Sequence, residues 1–414
     1  MDLAILRRIP LRGFRGIIVA WVLLAGCEKH SALYCEKHPS DTVNCPPADS
    51  GAGTCSGNAQ CMTPTPICEL GSHTCVECLA PTDCTSLTAP LCANDHACHG
   101  CSNHTECLSA ACLPDGSCAL EADVAYVTSN GNDNGTCDRA APCRTIGYAI
   151  GTLQPVVKLV GGGMITENVS ISSGIVTILA DPGIKLTESS NNPELSVSGS
   201  ARVEVSGLDI TNNGGNACVT LANTATLTLS RLRVSGCSGS GISTTGGSLT
   251  VSRATVQMNS GGGIRIANGG TFDITNTFIV KNGNSGSGTT AGATLVCASG
   301  PCRFEFNTVA DNVARMGVAG VACDFTFQAP NNIITHNVIG SGTGTEADTL
   351  GACTYPTSAI QADPSPLKLT TDFHISAGSS AIDQALTASP VDVDRDGDHR
   401  PQGAAKDQGA DELQ

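Results

Sequence analysis

Residues 201–210 read "ARVEVSGLDI", and two later stretches, "ATLTLSRLRV" (225–234) and "GSLTVSRATV" (247–256), repeat the pattern. In each, apolar residues fall at alternate positions, the period of a strand with one buried face. The stretches also align with one another. Leu208, Leu232 and Ala254 hold equivalent places, and Thr277, Thr308 and Ile333 continue the series with gaps of 24, 22, 23, 31 and 25 residues. Strands and turns recurring at this period, with no helical pattern between them, predict a β-solenoid in which each coil stacks on its neighbours. Roughly eight coils rising ~4.8 Å each give a rod about 40 Å long. Aromatic residues make up only 3% of the chain, so the core is expected to be Val, Ile, Leu and Ala, which suits a narrow coil.

One turn position supports the same repeat. Asn213, Cys237, Asn259, Asn282, Asn312 and Asn337 follow the coil spacing. A side-chain amide donates and accepts, so a stack of them inside a solenoid satisfies itself. The series resembles the asparagine ladder of pectate-lyase-like β-helices, with Cys237 able to bond back to Cys218 in the previous coil.

The two ends of this region carry further resemblances. "YVTSNGNDNGTCDRAAPCRTIGYAI" (126–150) resembles the opening segment of many bacterial right-handed parallel β-helix proteins. Tyr126, Gly131, Asp133, Gly135, Pro142, Thr145 and Ile146 match it. Cys143 stands where an aromatic usually follows the proline, and is expected to be tied to Cys137 instead. "DFHISAGSSAIDQALTASPVDVDRDGDHRPQGAAKDQGADE" (372–412) resembles the segment that closes bacterial surface β-helix proteins of the choice-of-anchor Q type. Asp372-Phe373-His374, Gly378-Ser379, Ala381-Ile382-Asp383, Asp394, Asp396-Gly397, Arg400-Pro401 and Asp407 to Glu412 carry the match. Ser380 departs from its usual proline, and Gln384-Ala385 from its glycine. Together the resemblances cover about residues 126–412 and imply an all-β, right-handed parallel β-helix.

The chain has 23 cysteines. Cys55, Cys78 and Cys101 are each 23 residues apart and each opens a unit of four: 55-61-68-75, 78-84-92-98 and 101-107-112-118. Three copies define a repeat, and each unit admits three disulfide pairings. Cys35 and Cys45 are left to pair with each other. Cys75-x2-Cys78 and Cys98-x2-Cys101, with His73, His96 and His99 nearby, also match zinc-ribbon spacing. Each C-x2-C straddles a repeat boundary, however, and two disulfides per unit account for every cysteine. The segment has too few apolar residues for a core of its own and must be held by its cross-links. It resembles tandem Cys-rich modules of exported bacterial proteins, which implies a stalk or a small binding module. The later cysteines fall into sequential pairs: Cys137 with Cys143, Cys218 with Cys237, Cys297 with Cys302, and Cys323 with Cys353.

Disulfides belong to an oxidising compartment, and the N-terminus agrees. Arg7, Arg8, Arg12 and Arg15 precede an apolar run too short to span a bilayer, where ~20 residues are needed, and ending Leu24-Ala25-Gly26-Cys27. This resembles a bacterial lipoprotein signal, which implies diacylation of Cys27 and attachment to a membrane by acyl chains. The expected organisation is a signal peptide over 1–26, a linker over 27–54, the Cys-rich repeats over 55–120, an opening cap over 121–155, the β-helix over 156–350 and a closing segment over 351–414. The chain is then an exported outer-membrane or cell-surface monomer. Its formal net charge of −15 argues against nucleic acid as a partner.

Function divides into two readings. Glycoside hydrolysis needs two carboxylates ~5–9.5 Å apart across one sugar bond. The polygalacturonase pattern N-T-D, D-D, G-H-G, R-I-K is met only by "NTF" (276–278), "NTV" (307–309) and "RIA" (265–267). Glu204, Asp209, Asp273, Glu305, Asp311 and Asp324 are scattered, and Lys281 and His336 are isolated. The expectation is a non-catalytic protein binding extracellular polysaccharide or acting in adhesion, with no catalytic residues assigned. A lyase or hydrolase of acidic glycans is the alternative. Arg231 and Arg253, one coil apart, form a basic pair suited either to an acidic sugar or to a solvated turn. Asp392, Asp394, Asp396 and Asp398, with Gly397, match the first half of a calcium-binding loop, although Gly403 stands where such a loop has its bidentate glutamate. The alternative there is a cap in which Arg395 and Arg400 neutralise the carboxylates.

Overall fold

The computed structural model describes residues 55–188, 190–212, 214–286, 288, 290–297, 300–340, 345–386 and 388–414. Cys27, Cys35, Cys45 and Asn213 lie outside them. The described residues divide into two compact units: 55–86 with Pro90–His99, and Leu87–Ala89 with Gly100–Gln414.

In the first unit, each of two repeats is a short antiparallel hairpin. Ile67–Glu69 pairs with Thr74–Val76, and Leu91–Cys92 with Cys98–His99. Cystines take the place of a core. The first cysteine bonds the third and the second bonds the fourth: Cys55–Cys68 and Cys61–Cys75, then Cys78–Cys92 and Cys84–Cys98. All of these cysteines are therefore committed to sulfur–sulfur bonds, which leaves no thiolates for zinc.

The third repeat keeps the same connectivity, Cys101–Cys112 and Cys107–Cys118, but belongs to the second unit. Its Ala111 packs with Val124, Tyr126, Val156 and Leu179 on the outer face of the first coils. The Tyr126 hydroxyl donates to the Ser109 carbonyl at 2.8 Å, and Arg139 donates to the Leu108 carbonyl at 2.6 Å. The strand Val124–Val127 is consequently buried on both faces, its Ala125 and Val127 pointing into the coil. Lys158 is fully buried in the neighbouring strand and held by Asp181 at 2.5 Å. Close by, His104 of the repeat is pushed down to about 4, chiefly by burial.

The rest of the second unit is a parallel β-solenoid of about eight coils. Three sheets run its length. Sheet A holds eight strands, from Val124–Val127 through Arg202–Ser206 and Thr226–Ser230 to Cys302–Glu305. Sheet B holds nine, from Gly163–Thr166 through Asp209–Asn212 and Phe278–Val280 to Ala359–Gln361. Sheet C holds eight, from Val169–Ile171 through Val219–Leu221 to Thr349–Gly351. Inward residues stack in rows, such as Val203, Leu227, Leu249 and Phe272 along sheet A, and Ile210, Val234, Val256, Ile279, Val309 and Ile334 along sheet B. The helix Ile146–Gly151 caps the first coil. Thr145 accepts from the Tyr148 amide, and Glu167 accepts from the amides of Ile146 and Gly147.

One left-handed residue turns the chain from sheet A to sheet B in each coil: Gly207, Arg231, Arg253, Asn276, Phe306 and Asn331, with φ from 49° to 79°. The register there corrects the sequence alignment in its last two members. Sheet B pairs Phe278 with Thr308 and Thr308 with Ile333, so the partners of Thr277 are Asn307 and Asn332, one residue earlier. The coil that adds residues between 283 and 292 lengthens the gap and hides the slip.

Asn259, Asn282, Asn312 and Asn337 are fully buried at the bend from sheet B to sheet C. Each side-chain amide nitrogen donates to the next rung's Oδ1, at 2.9, 3.0 and 2.8 Å, and the same oxygen accepts that residue's backbone N–H. Asp348 takes both donors of Asn337 and ends the stack. A Cβ on Gly241 would meet the Asn259 amide at 2.7 Å, so a rung demands glycine across from it. Cys218 stands in register with Gly241, and Cys237 with Asn259. The Cys218–Cys237 disulfide thus fills the space of one Gly–Asn pair. The other sequential pairs, Cys137–Cys143, Cys297–Cys302 and Cys323–Cys353, are also bonded.

Glu194 lies at the same register position as Cys218, fully buried, with the Asn212 side chain beside its carboxylate. Burial pushes it up to about 7, and pushes Asp348 up to about 6. A carboxyl raised on folding stabilises while it is protonated. Its contribution is full below the unfolded value near pH 4–4.5 and is lost as pH rises to about 7. For Glu194 this amounts to about 3 kcal/mol, at ~1.4 kcal/mol per unit. Denaturation midpoints are therefore expected to fall from pH 5 to pH 7.5, and Glu194→Gln is expected to flatten that fall. A Glu194→Gln profile parallel to the unsubstituted chain contradicts the assignment.

Candidate binding groove

Sheet B's outer face changes character along the solenoid. Over the last coils it is apolar: Phe278, Val280, Ala310 and Ile333. The closing segment folds back over this part and covers it with Leu367, Phe373, Ile375, Ala381 and Ala410. Polar contacts fix the segment in place. Asn276 donates to the Val393 carbonyl at 2.8 Å, the Gly409 amide to the Asn331 carbonyl at 2.8 Å, and the Ala410 amide to Thr308 Oγ1 at 3.1 Å.

Arg400 pins the segment. Its side chain is fully buried and pairs with the buried Glu412 at 3.0 Å. It also donates to the carbonyls of Asp407 and Gly409 and stacks 4.5 Å from the centroid of Phe306. Asp394 organises the tip: one carboxylate oxygen accepts the amides of Asp396, Gly397 and Asp398, and the other accepts that of Glu412.

This arrangement does not fit calcium held by Asp392, Asp394, Asp396 and Asp398. Oxygens that accept four N–H groups point their lone pairs at donors, not at a cation. Asp392 is exposed and Asp396 turns to His374 at 2.8 Å. Asp394 satisfies the turn's own amides, and Arg395 lies 3.7 Å from Asp396.

Where sheet B's outer face turns polar, the cover stops and a groove opens. Asp209, Arg231, Arg233, Thr255, Gln257 and Lys281 form its floor and one wall; Asp372, Phe373, His374 and Arg395 of the closing segment form the other. Arg233 is paired with Asp209 at 2.7 Å. Arg395 donates to Thr255 Oγ1 at 3.0 Å and lies 5.7 Å from the Phe278 ring. Burial lowers its pKa, so the guanidinium is held at a desolvation cost. Lys281 sits 4.9 Å above the Phe373 ring. Four cations thus face one groove on a chain of net charge −15.

The basic pair read from sequence is divided. Arg231 lines the groove, whereas Arg253 donates to the carbonyls of Arg395 and Asp396 and holds the closing segment. Arg233, Lys281 and Arg395 come together only in the fold, because the chain returns across sheet B some 140 residues later. The solenoid carboxylates are engaged with other groups, and Asp273 and Glu305 on neighbouring strands both act on Arg303. Asp273 binds Arg303 through two hydrogen bonds, Glu305 accepts from Asn331, and Asp311 pairs with His336 at 2.8 Å. Glu204 lies near Asp115, which raises its pKa further after burial, and Asp324 is exposed.

A family model described as the right-handed β-helix region matches residues 159–309. No curated protein matches the chain. Among solved structures, pectate lyase Pel9A aligns with a TM-score of 0.37 and 16% identity, over 70% of this chain and 96% of that chain.

Proposed function

We propose that this chain is an exported, lipid-anchored β-helix protein that binds acidic polysaccharide in the sheet B groove without cleaving it. The observation that carries the reading is the convergence of Arg231, Arg233, Lys281 and Arg395 on one open groove of an acidic protein. Guanidinium groups suit carboxylate and sulfate geometry. The anchor rests on the Leu24-Ala25-Gly26-Cys27 motif, and export on the cysteine pairing. The engagement of Asp273, Glu305 and Asp311 with basic or amide partners supports binding over hydrolysis.

Affinity electrophoresis through acidic and neutral polysaccharides tests the reading. Asn276 and Met258 occupy the bend positions equivalent to Arg231 and Lys281, so Arg231→Asn and Lys281→Met suit the left-handed backbone. The double variant is expected to lose at least about tenfold in affinity for the acidic polymer, and retention by the unsubstituted chain is expected to weaken with salt. Equal retention of variant and unsubstituted chain, or equal retention by neutral polymers, contradicts the reading.

A further inference from the structure

The closing segment brings together three metal-ligating groups from well-separated positions. One donor atom from each of His374, Asp396 and Asp411 lies within 4.8 Å of the other two. Donors around a tetrahedral ion with ~2.1 Å bonds are roughly 3.4 Å apart, and Asp396, half-exposed, can turn to close the difference. Asp411 is buried and fixed, since one of its oxygens accepts the Ile375 amide at 2.7 Å. Among the described residues the other such groups are cysteines already joined in disulfides.

The imidazole is poised in a particular way. Its Nε2 faces Asp396 at 2.8 Å, while its Nδ1 is buried without a hydrogen-bond partner. Asp372 Oδ2 stands 3.4 Å from that Nδ1. A cation bound at Nε2 fixes the proton on Nδ1, and Asp372 is then the carboxylate that orients it, as outer carboxylates do for metal-bound histidines. Three carboxylates surround one imidazole, and Arg395 approaches Asp396 only to 3.7 Å.

We infer that His374, Asp396 and Asp411 form a zinc site, with Asp372 as its orienting carboxylate. One nitrogen and two carboxylate oxygens suit zinc, whereas calcium takes six to eight oxygens. This site shares Asp396 with the alternating-aspartate loop, and its His374 and Asp372 also line the groove, so zinc is titrated with no polysaccharide present.

The test uses the full oxidised chain, stripped with chelator and titrated with Zn²⁺ against a chromophoric competitor at micromolar protein. One equivalent is expected to bind. Asp372→Asn is expected to weaken binding ~10–100-fold, and His374→Gln and Asp396→Asn to abolish stoichiometric uptake. Co²⁺ in place of Zn²⁺ is expected to give visible absorption that both ligand variants lose. Asp396 is half-exposed and Arg400–Glu412 is untouched in that variant, so its fold is checked by an unchanged circular dichroism spectrum. Absence of stoichiometric binding, equal binding by the ligand variants, or a preference for Ca²⁺ overturns the site.

Discussion

Arg400→Met is expected to release the closing segment from the side of the solenoid and to cost about 3–5 kcal/mol, the usual effect of stranding one partner of a buried ion pair. Both side chains of the pair are fully buried, and burial already pushes Glu412 upward in pKa. Removing the guanidinium leaves that carboxylate without its cation and frees the carbonyls of Asp407 and Gly409. The stack on Phe306 is lost as well. Denaturant titration reads the loss. Limited proteolysis reads its location, with cleavage expected between residues 363 and 414 while the coils stay resistant. Arg400→Met with Glu412→Leu removes both charges and is expected to recover part of the loss. A single variant as stable and protease-resistant as the unsubstituted chain contradicts this view of the latch.

Asn312→Leu is expected to cost roughly 3–6 kcal/mol, because it strands several buried groups at once. Asn312 Oδ1 accepts both the backbone N–H and the side-chain amide of Asn282, and its own amide donates to the Ile279 carbonyl and to Asn337. None of these groups has water within reach, since the rungs are fully buried. Leucine adds apolar volume and restores none of the bonds. Thr228→Val, on the outer face of sheet A, serves as the control and is expected to change stability by no more than ~0.5 kcal/mol. A cost for Asn312→Leu as small as the control's contradicts the ladder as a structural element.

The solenoid is legible in the sequence because its causes are local. Strand alternation at 203–210 or 226–234 is written residue by residue, and a repeat copies it coil after coil. The ladder positions 259, 282, 312 and 337 are legible for the same reason. A second series, Thr277, Asn307, Asn332 and Ser358, is hidden by the one-residue slip at Thr308, although each backbone N–H donates to the side chain of the next residue in it. What sequence order conceals is packing between distant segments. Nothing local says that the third cysteine repeat packs on Tyr126, or that Arg395 reaches Thr255. The groove exists only because the closing segment returns across sheet B. The aspartate run shows the limit most clearly. Its spacing resembles a cation loop, but Asp394 spends its oxygens on backbone amides, and the donors that do converge come from 374, 396 and 411.

Binding of acidic glycan without cleavage is checked by incubating the oxidised protein with acidic and neutral polysaccharides and counting new chain ends, with and without added divalent cation and with chelator. Retention of the protein on the acidic polymers and no new ends under any condition are expected. New reducing or unsaturated ends that accumulate with time contradict it and make the groove the place to look for a lyase or hydrolase.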